Sequence, residues 1–107
     1  MPKSTAACPT VQTISFTTYG EPGQMWGNCS GEVYDGGITE MGVVYSYTNT
    51  VPTLADSKQA MPESALTKNN ILIMLYNLKA GKTYYAQAYA TNSKGGTGYG
   101  GVLYAKA

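Results

Sequence analysis

The stretch Thr83-Tyr-Tyr-Ala-Gln-Ala-Tyr-Ala-Thr91 sets the tightest limit on how this chain can fold. Tyr84, Ala86, Ala88 and Ala90 alternate with Tyr85, Gln87, Tyr89 and Thr91. A period of two belongs to an extended strand, whose successive side chains point to opposite faces. Alanine is a weak strand former, but the alternation and the tyrosines outweigh its propensity. Turn chemistry brackets the run, with Lys79-Ala-Gly81-Lys82 before it and the glycine-rich loop 92–98 after it.

The rest of the chain repeats this grammar. Val11-Gln-Thr-Ile14-Ser-Phe16-Thr is apolar and β-branched and reads as a strand, ended by Tyr19-Gly-Glu-Pro-Gly23. Residues 25–33 alternate, with Met25, Gly27, Cys29, Gly31 and Val33 on one face. Asp35-Gly-Gly37 is a tight turn. Residues 38–47 form the next strand, with Met41, Val43 and Tyr45 on a shared face. Residues 53–70 carry no clear period and are expected to hold a short edge strand among loops. Ile71-Leu-Ile-Met-Leu75 is a dense apolar run, expected to be a buried strand, and 99–106 closes the chain as a final strand. About seven strands with turn signals every ~8–12 residues predict an all-β protein, a single antiparallel β-sandwich. One domain over 1–107 is expected, with 1–10 as an N-terminal arm.

Composition narrows the chemistry. There is no histidine and no arginine, and charged residues make up 12% of the chain, with a net charge of +1. The scattered lysines build no basic field for nucleic acid. A serine or threonine nucleophile without a base is inert, and the six acids are widely spaced, so no enzyme is expected. No cofactor or metal is expected either, since Asp35 near Glu32 offers fewer than the ~6 oxygens calcium requires. No apolar run approaches the ~18 residues of a membrane span. Cys8 and Cys29 allow one disulfide or none; two free thiols, with Cys29 packed as a small hydrophobe, is the preferred reading. The opening MPKSTAACPTVQ has no apolar segment behind its lysine, so a small gene product without a secretory signal is expected, an excised module being the alternative.

Leu78-Lys-Ala-Gly81-Lys-Thr-Tyr84 resembles the turn and tyrosine that enter the sixth strand of fibronectin type III domains. The longer pattern, Asp35-Gly-Gly-Ile-Thr-Glu-Met-Gly42-Val-Val-Tyr45-Ser together with 78–100, is similar to the fibronectin-like modules of Bacteroidota surface proteins; similar folds decorate phage virions. The likeness covers about two thirds of the chain, from the Gly-Gly turn to the end. It implies a fibronectin type III or immunoglobulin-like sandwich in which Tyr84, with Leu78 and Gly81, fixes a tyrosine corner and Tyr85 faces outward. Ala80 stands where the family usually has proline, and Met41 and Gln87 where it commonly has arginine. That removes the family's charge-based contacts at those positions.

Two contact surfaces follow. One is the loop end, with Asp35 and Gly36 from one turn and Asn92 and Lys94 from another, although turns alone select the same residue types. The other is the face with Tyr85, Gln87 and Tyr89, although exposed aromatics also pair for stability alone. The resemblance and the low charge lead to one expectation. The chain is an accessory capsid or decoration protein of a bacteriophage, on the virion surface, with the major capsid protein or another virion component as partner. The alternative is an adhesive, glycan-binding or spacer module of a bacterial cell surface, with a surface glycan as partner. Neither reading involves nucleic acid or a membrane.

Overall fold

The structure, a computed structural model, describes residues 8–34, 36–66 and 68–107. Eight strands run in the order β1 (Val11–Tyr19), β2 (Met25–Val33), β3 (Ile38–Ser46), β4 (Ser57–Ala60), β5 (Asn70–Leu78), β6 (Thr83–Asn92), β7 (Thr97–Tyr99) and β8 (Leu103–Lys106), with one 3-10 turn at Glu63–Ala65. They form two antiparallel sheets. One has the order β1-β2-β5; the other has the order β4-β3-β6-β7, with β8 also paired to β6. The protein is therefore an all-β, antiparallel sandwich. The connections β1–β2, β3–β4 and β5–β6 lie at one end, and the connections β2–β3, β4–β5 and β6–β7 at the other.

The core lies between the sheets. Phe16, Cys29, Val33, Ile71, Ile73, Leu75 and Leu78 come from one sheet, and Met41, Val43, Tyr84, Ala86, Ala88 and Ala90 from the other. The alanine row has a steric cause. A Cβ on Gly31 would stand 2.7 Å from the Ala88 Cβ and 2.7 Å from the Gln12 carbonyl oxygen. The sheets approach closely there, and only small residues fit.

The C-terminal segment departs from expectation. A single strand over 99–106 is replaced by β7 and β8, broken at 100–102, where Gly101 takes a φ of 104°. The break leaves β6 without strand pairing at Gln87 and Ala88 on that side. Thr13 fills the gap. Its Oγ1 accepts from the Ala88 N–H at 2.9 Å, and its own N–H donates to the Gly100 carbonyl at 3.1 Å. Thr13 also pairs with Gly31 in its own sheet, just before a bulge at residue 14. One threonine thus joins the two sheets by hydrogen bonds.

One further expectation changes. Ile71, Ile73 and Leu75 are buried, but Leu72, Met74 and Tyr76 face solvent, so the dense apolar run is an edge strand buried on one side only. Of the expected N-terminal arm, residues 1–7 lie outside the described residues. Pro9 is buried, and a Cβ on Gly98 would collide with its carbonyl oxygen. Residues 53–70 hold the short edge strand β4 and the 3-10 turn.

Replacing Thr13 with valine keeps the shape but strands the buried Ala88 N–H. The expected loss is about 1–3 kcal/mol of folding stability, read from urea unfolding, with Thr13→Ser largely restoring it. Equal stability of the valine variant and the native chain would show that the link is idle.

Candidate functional site

At the 93–96 end, the Ser93 N–H donates to the Gly37 carbonyl at 2.9 Å and ties the two expected contact loops together. Gly36 is exposed there, and Asp35 lies outside the described residues. The Asn92 carboxamide oxygen accepts from the backbone N–H groups of Lys94 and Gly96, both at 3.0 Å, so it shapes the turn from within. Lys94 projects into solvent. These loops form a defined polar surface without a pocket of their own among the cavities described below.

The face of β6 that points away from the core is covered, which corrects the expectation for two residues. Gln87 is 4% exposed and Tyr89 is fully buried. Loop 47–56 folds over them. Gln87 Nε2 donates to the carbonyl of buried Pro52 at 2.7 Å, Gln87 Oε1 accepts from the Gly101 N–H at 3.2 Å, and the Leu54 N–H donates to the Tyr99 hydroxyl at 3.2 Å. The Tyr89 hydroxyl donates a short hydrogen bond to Glu40, which also pairs with Lys58 at 2.7 Å. Tyr85 is half-buried, its ring 6.0 Å from that of exposed Tyr104. Of the expected trio, only Tyr85 reaches the surface.

The turn before β6 is built around Tyr84. Its buried hydroxyl accepts from the Lys79 N–H at 2.7 Å, and its ring packs edge-on to Tyr47 at 5.4 Å. Leu78 is buried beneath the turn, and Gly81, at a φ of 84°, donates its N–H to the carbonyl of Ala107 at 2.7 Å. Lys79 Nζ reaches the Tyr47 hydroxyl at 3.0 Å, and that contact lowers the tyrosine's pKa from its usual value. A cleft of about 780 Å3 opens beside this group, between the sheets, with Tyr45, Tyr76 and Asp56 on its wall.

The outer face of β1-β2-β5 was not singled out in the sequence. Cross-strand register sets its residues in rows: Ser15, Ser30 and Leu72; then Thr17, Asn28 and Met74; then Tyr19 and Trp26, with Tyr76 next along β5. Ser15 and Ser30 share a hydrogen bond of 2.7 Å. None of these residues is charged; the row beyond Ser15 holds Gln12, half-buried Glu32 and Asn70, and Leu72 and Tyr76 are 61% and 60% exposed. The signal was present in β5, where every second residue of an apolar run can be an outward one on an edge strand. A second cleft, of about 380 Å3, lies at the aromatic end of this face.

Titratable chemistry is sparse. Cys8 and Cys29 are unbonded, and burial pushes the Cys29 thiol up to about 12. Among the described residues no group of three or more histidine, cysteine, aspartate or glutamate side chains could hold a metal ion, and no helix is long and apolar enough to cross a membrane. Comparison with protein-family models and with curated proteins finds no match to this chain.

The hydrogen bond from Lys58, then that from Tyr89, holds the Glu40 carboxyl below the ordinary glutamate value. A depressed folded-state pKa stabilises above the unfolded value, near ~4.3, and that stabilisation is lost as pH falls through the folded value. Urea midpoints of the native chain are therefore expected to drop below pH ~4.3 by an increment that Glu40→Gln lacks. Glu40→Ala, which leaves the Tyr89 hydroxyl unpaired, is expected to lose about 1–3 kcal/mol at neutral pH. Identical acid slopes in the native and glutamine chains would remove Glu40 from this role.

Proposed function

We propose that this protein works by contact alone, as an accessory or decoration protein of a bacteriophage capsid, held on the virion shell by protein–protein contacts. The observation that carries the reading is the outer face of β1-β2-β5, where Leu72 and Met74 stand open to solvent beside serine, threonine and asparagine, with Glu32 as the one charge in its rows. Apolar side chains flanked by uncharged polar ones suit a protein lattice. The fibronectin type III-like resemblance supports it further: the three-stranded sheet opposite the larger one, and the Tyr84 hydroxyl bonded back to Lys79, suit that class of module. The site residues in this reading are Leu72 and Met74 for attachment. Gly36, Lys94 and Tyr85 lie elsewhere, on surfaces left for display, and Tyr84, Leu78 and Gly81 hold the scaffold.

The test is microscopy of gold-labelled protein mixed with phage particles and with cell envelopes from the strain that carries its gene. Label on shells is expected, and Leu72→Asp with Met74→Asp should weaken it by about tenfold or more, because a buried unpaired charge costs more than the ~1.4 kcal/mol that tenfold requires. Label on envelopes alone, or shell binding indifferent to the two aspartates, would overturn the reading.

A further inference from the structure

The aromatic end of the outer face differs from the aliphatic rows. Tyr19 and Trp26 are cross-strand partners, and their rings stack at 4.7 Å with 29° between the planes. Tyr19 is 43% exposed and Trp26 is half-buried, so the pair presents apolar ring surface to water. Beside it lies the cleft of about 380 Å3, whose wall includes Trp26, Tyr76, Glu21, Gln24 and Asn77.

The turn that carries Glu21 and Gln24 is fixed in shape. The Gln24 N–H donates to the Glu21 carbonyl at 2.8 Å. Gly20 has a φ of 106°, and a Cβ there would stand 2.3 Å from the Gln24 carbonyl oxygen. The turn accepts only glycine at that point. The side chains of Glu21, Gln24 and Asn77 make no hydrogen bond within the described residues. Two amides and a carboxylate, all unused, thus surround exposed aromatic rings on a preset frame.

We propose that Tyr19, Trp26 and the 20–24 turn bind a neutral oligosaccharide. A pyranose ring has an apolar C–H face and a rim of hydroxyls. The aromatic faces take the first; the amides, which both donate and accept, and the carboxylate, which accepts, take the second. No lysine lines the cleft, and Glu21 is its one charge, so a sulfated or otherwise anionic glycan would meet repulsion without compensation. The same lack of cations disfavours a nucleotide. The rigid turn spares the ordering cost that would otherwise weaken such a shallow site. The inference stands apart from shell attachment, which uses Leu72 and Met74 on the same face.

Trp26 is the sole tryptophan, so its emission reports the site directly. The full chain is titrated with cellohexaose, maltohexaose, chitohexaose and mannohexaose, and applied to an array of neutral glycans. Saturable change in Trp26 emission with at least one glycan is expected. Tyr19→Ala and Gln24→Ala, both at exposed positions, should each weaken that binding by about fivefold or more. Tyr85→Ala, on the other sheet, and the Leu72→Asp, Met74→Asp chain should bind as the native chain does. Silence across hexamers and array overturns the proposal. So does array binding without an emission change, binding indifferent to Tyr19 and Gln24, or a response confined to a proline-rich peptide run in parallel.

Discussion

The fold turns on how β1 is shared. Thr13 pairs with Gly31 in one sheet while its hydroxyl and amide serve Ala88 and Gly100 of the other. In most sandwiches side-chain packing alone joins the layers, and hydrogen bonds stay within each sheet. Here a gap in the pairing of β6, opened by the break between β7 and β8, is closed from across the core. The neighbouring positions follow from that. Gly31 and Ala88 must be small for β1 to come close enough, and Gly100 must leave room for the Thr13 backbone, which a Cβ there would approach to 2.5 Å. A run of alanines that is weak in strand propensity is therefore what this crossing requires.

Much of this architecture was legible, and the failures have physical causes. Alternation placed β2, β3 and β6 well, because their inner faces carry the period-two signal that a half-buried strand must have. It failed for the other face of β6. Gln87 and Tyr89 are polar enough to look solvent-facing, and only loop 47–56, with buried Pro52 over Gln87, makes them interior. A loop folded over a sheet has no periodicity to read. It failed for β5 in the opposite sense: five residues, Ile71–Leu75, in which apolar types occupy both faces look wholly buried, and whether a strand is central or at an edge is settled by topology. The pair Gly100-Gly101 was visible as a possible interruption, but its partner, Thr13, is 87 residues away in sequence. The Tyr19–Trp26 pair was hidden because counting outward from Gly20-Glu-Pro-Gly23 sets Tyr19 against Gln24, whereas the turn closes Glu21 to Gln24 and so sets Tyr19 opposite Trp26.

The surface divides by chemistry. The larger sheet keeps the one ion pair among the described residues, Glu40 with Lys58, tied to a buried tyrosine, where charge serves the fold. The smaller sheet presents hydroxyls, amides, Leu72, Met74 and three aromatic rings in register, with Glu32 between Gln12 and Asn70 in one row. Glu32 is the one charge in those rows, and apolar surface is exposed beyond it. The rows that hold Leu72 and Met74 lose little solvation on contact.

Cys29 sits at the centre of the core on the middle strand of the smaller sheet, with no exposed surface and a thiol that resists ionisation. The thiolate is the species that reacts, so in the native fold this sulfur is closed to alkylating and oxidising agents. It becomes available only when the two layers separate. Exposed Cys8 reacts at once, which gives the chain an internal clock: the lag between the two thiols measures how often the sandwich opens.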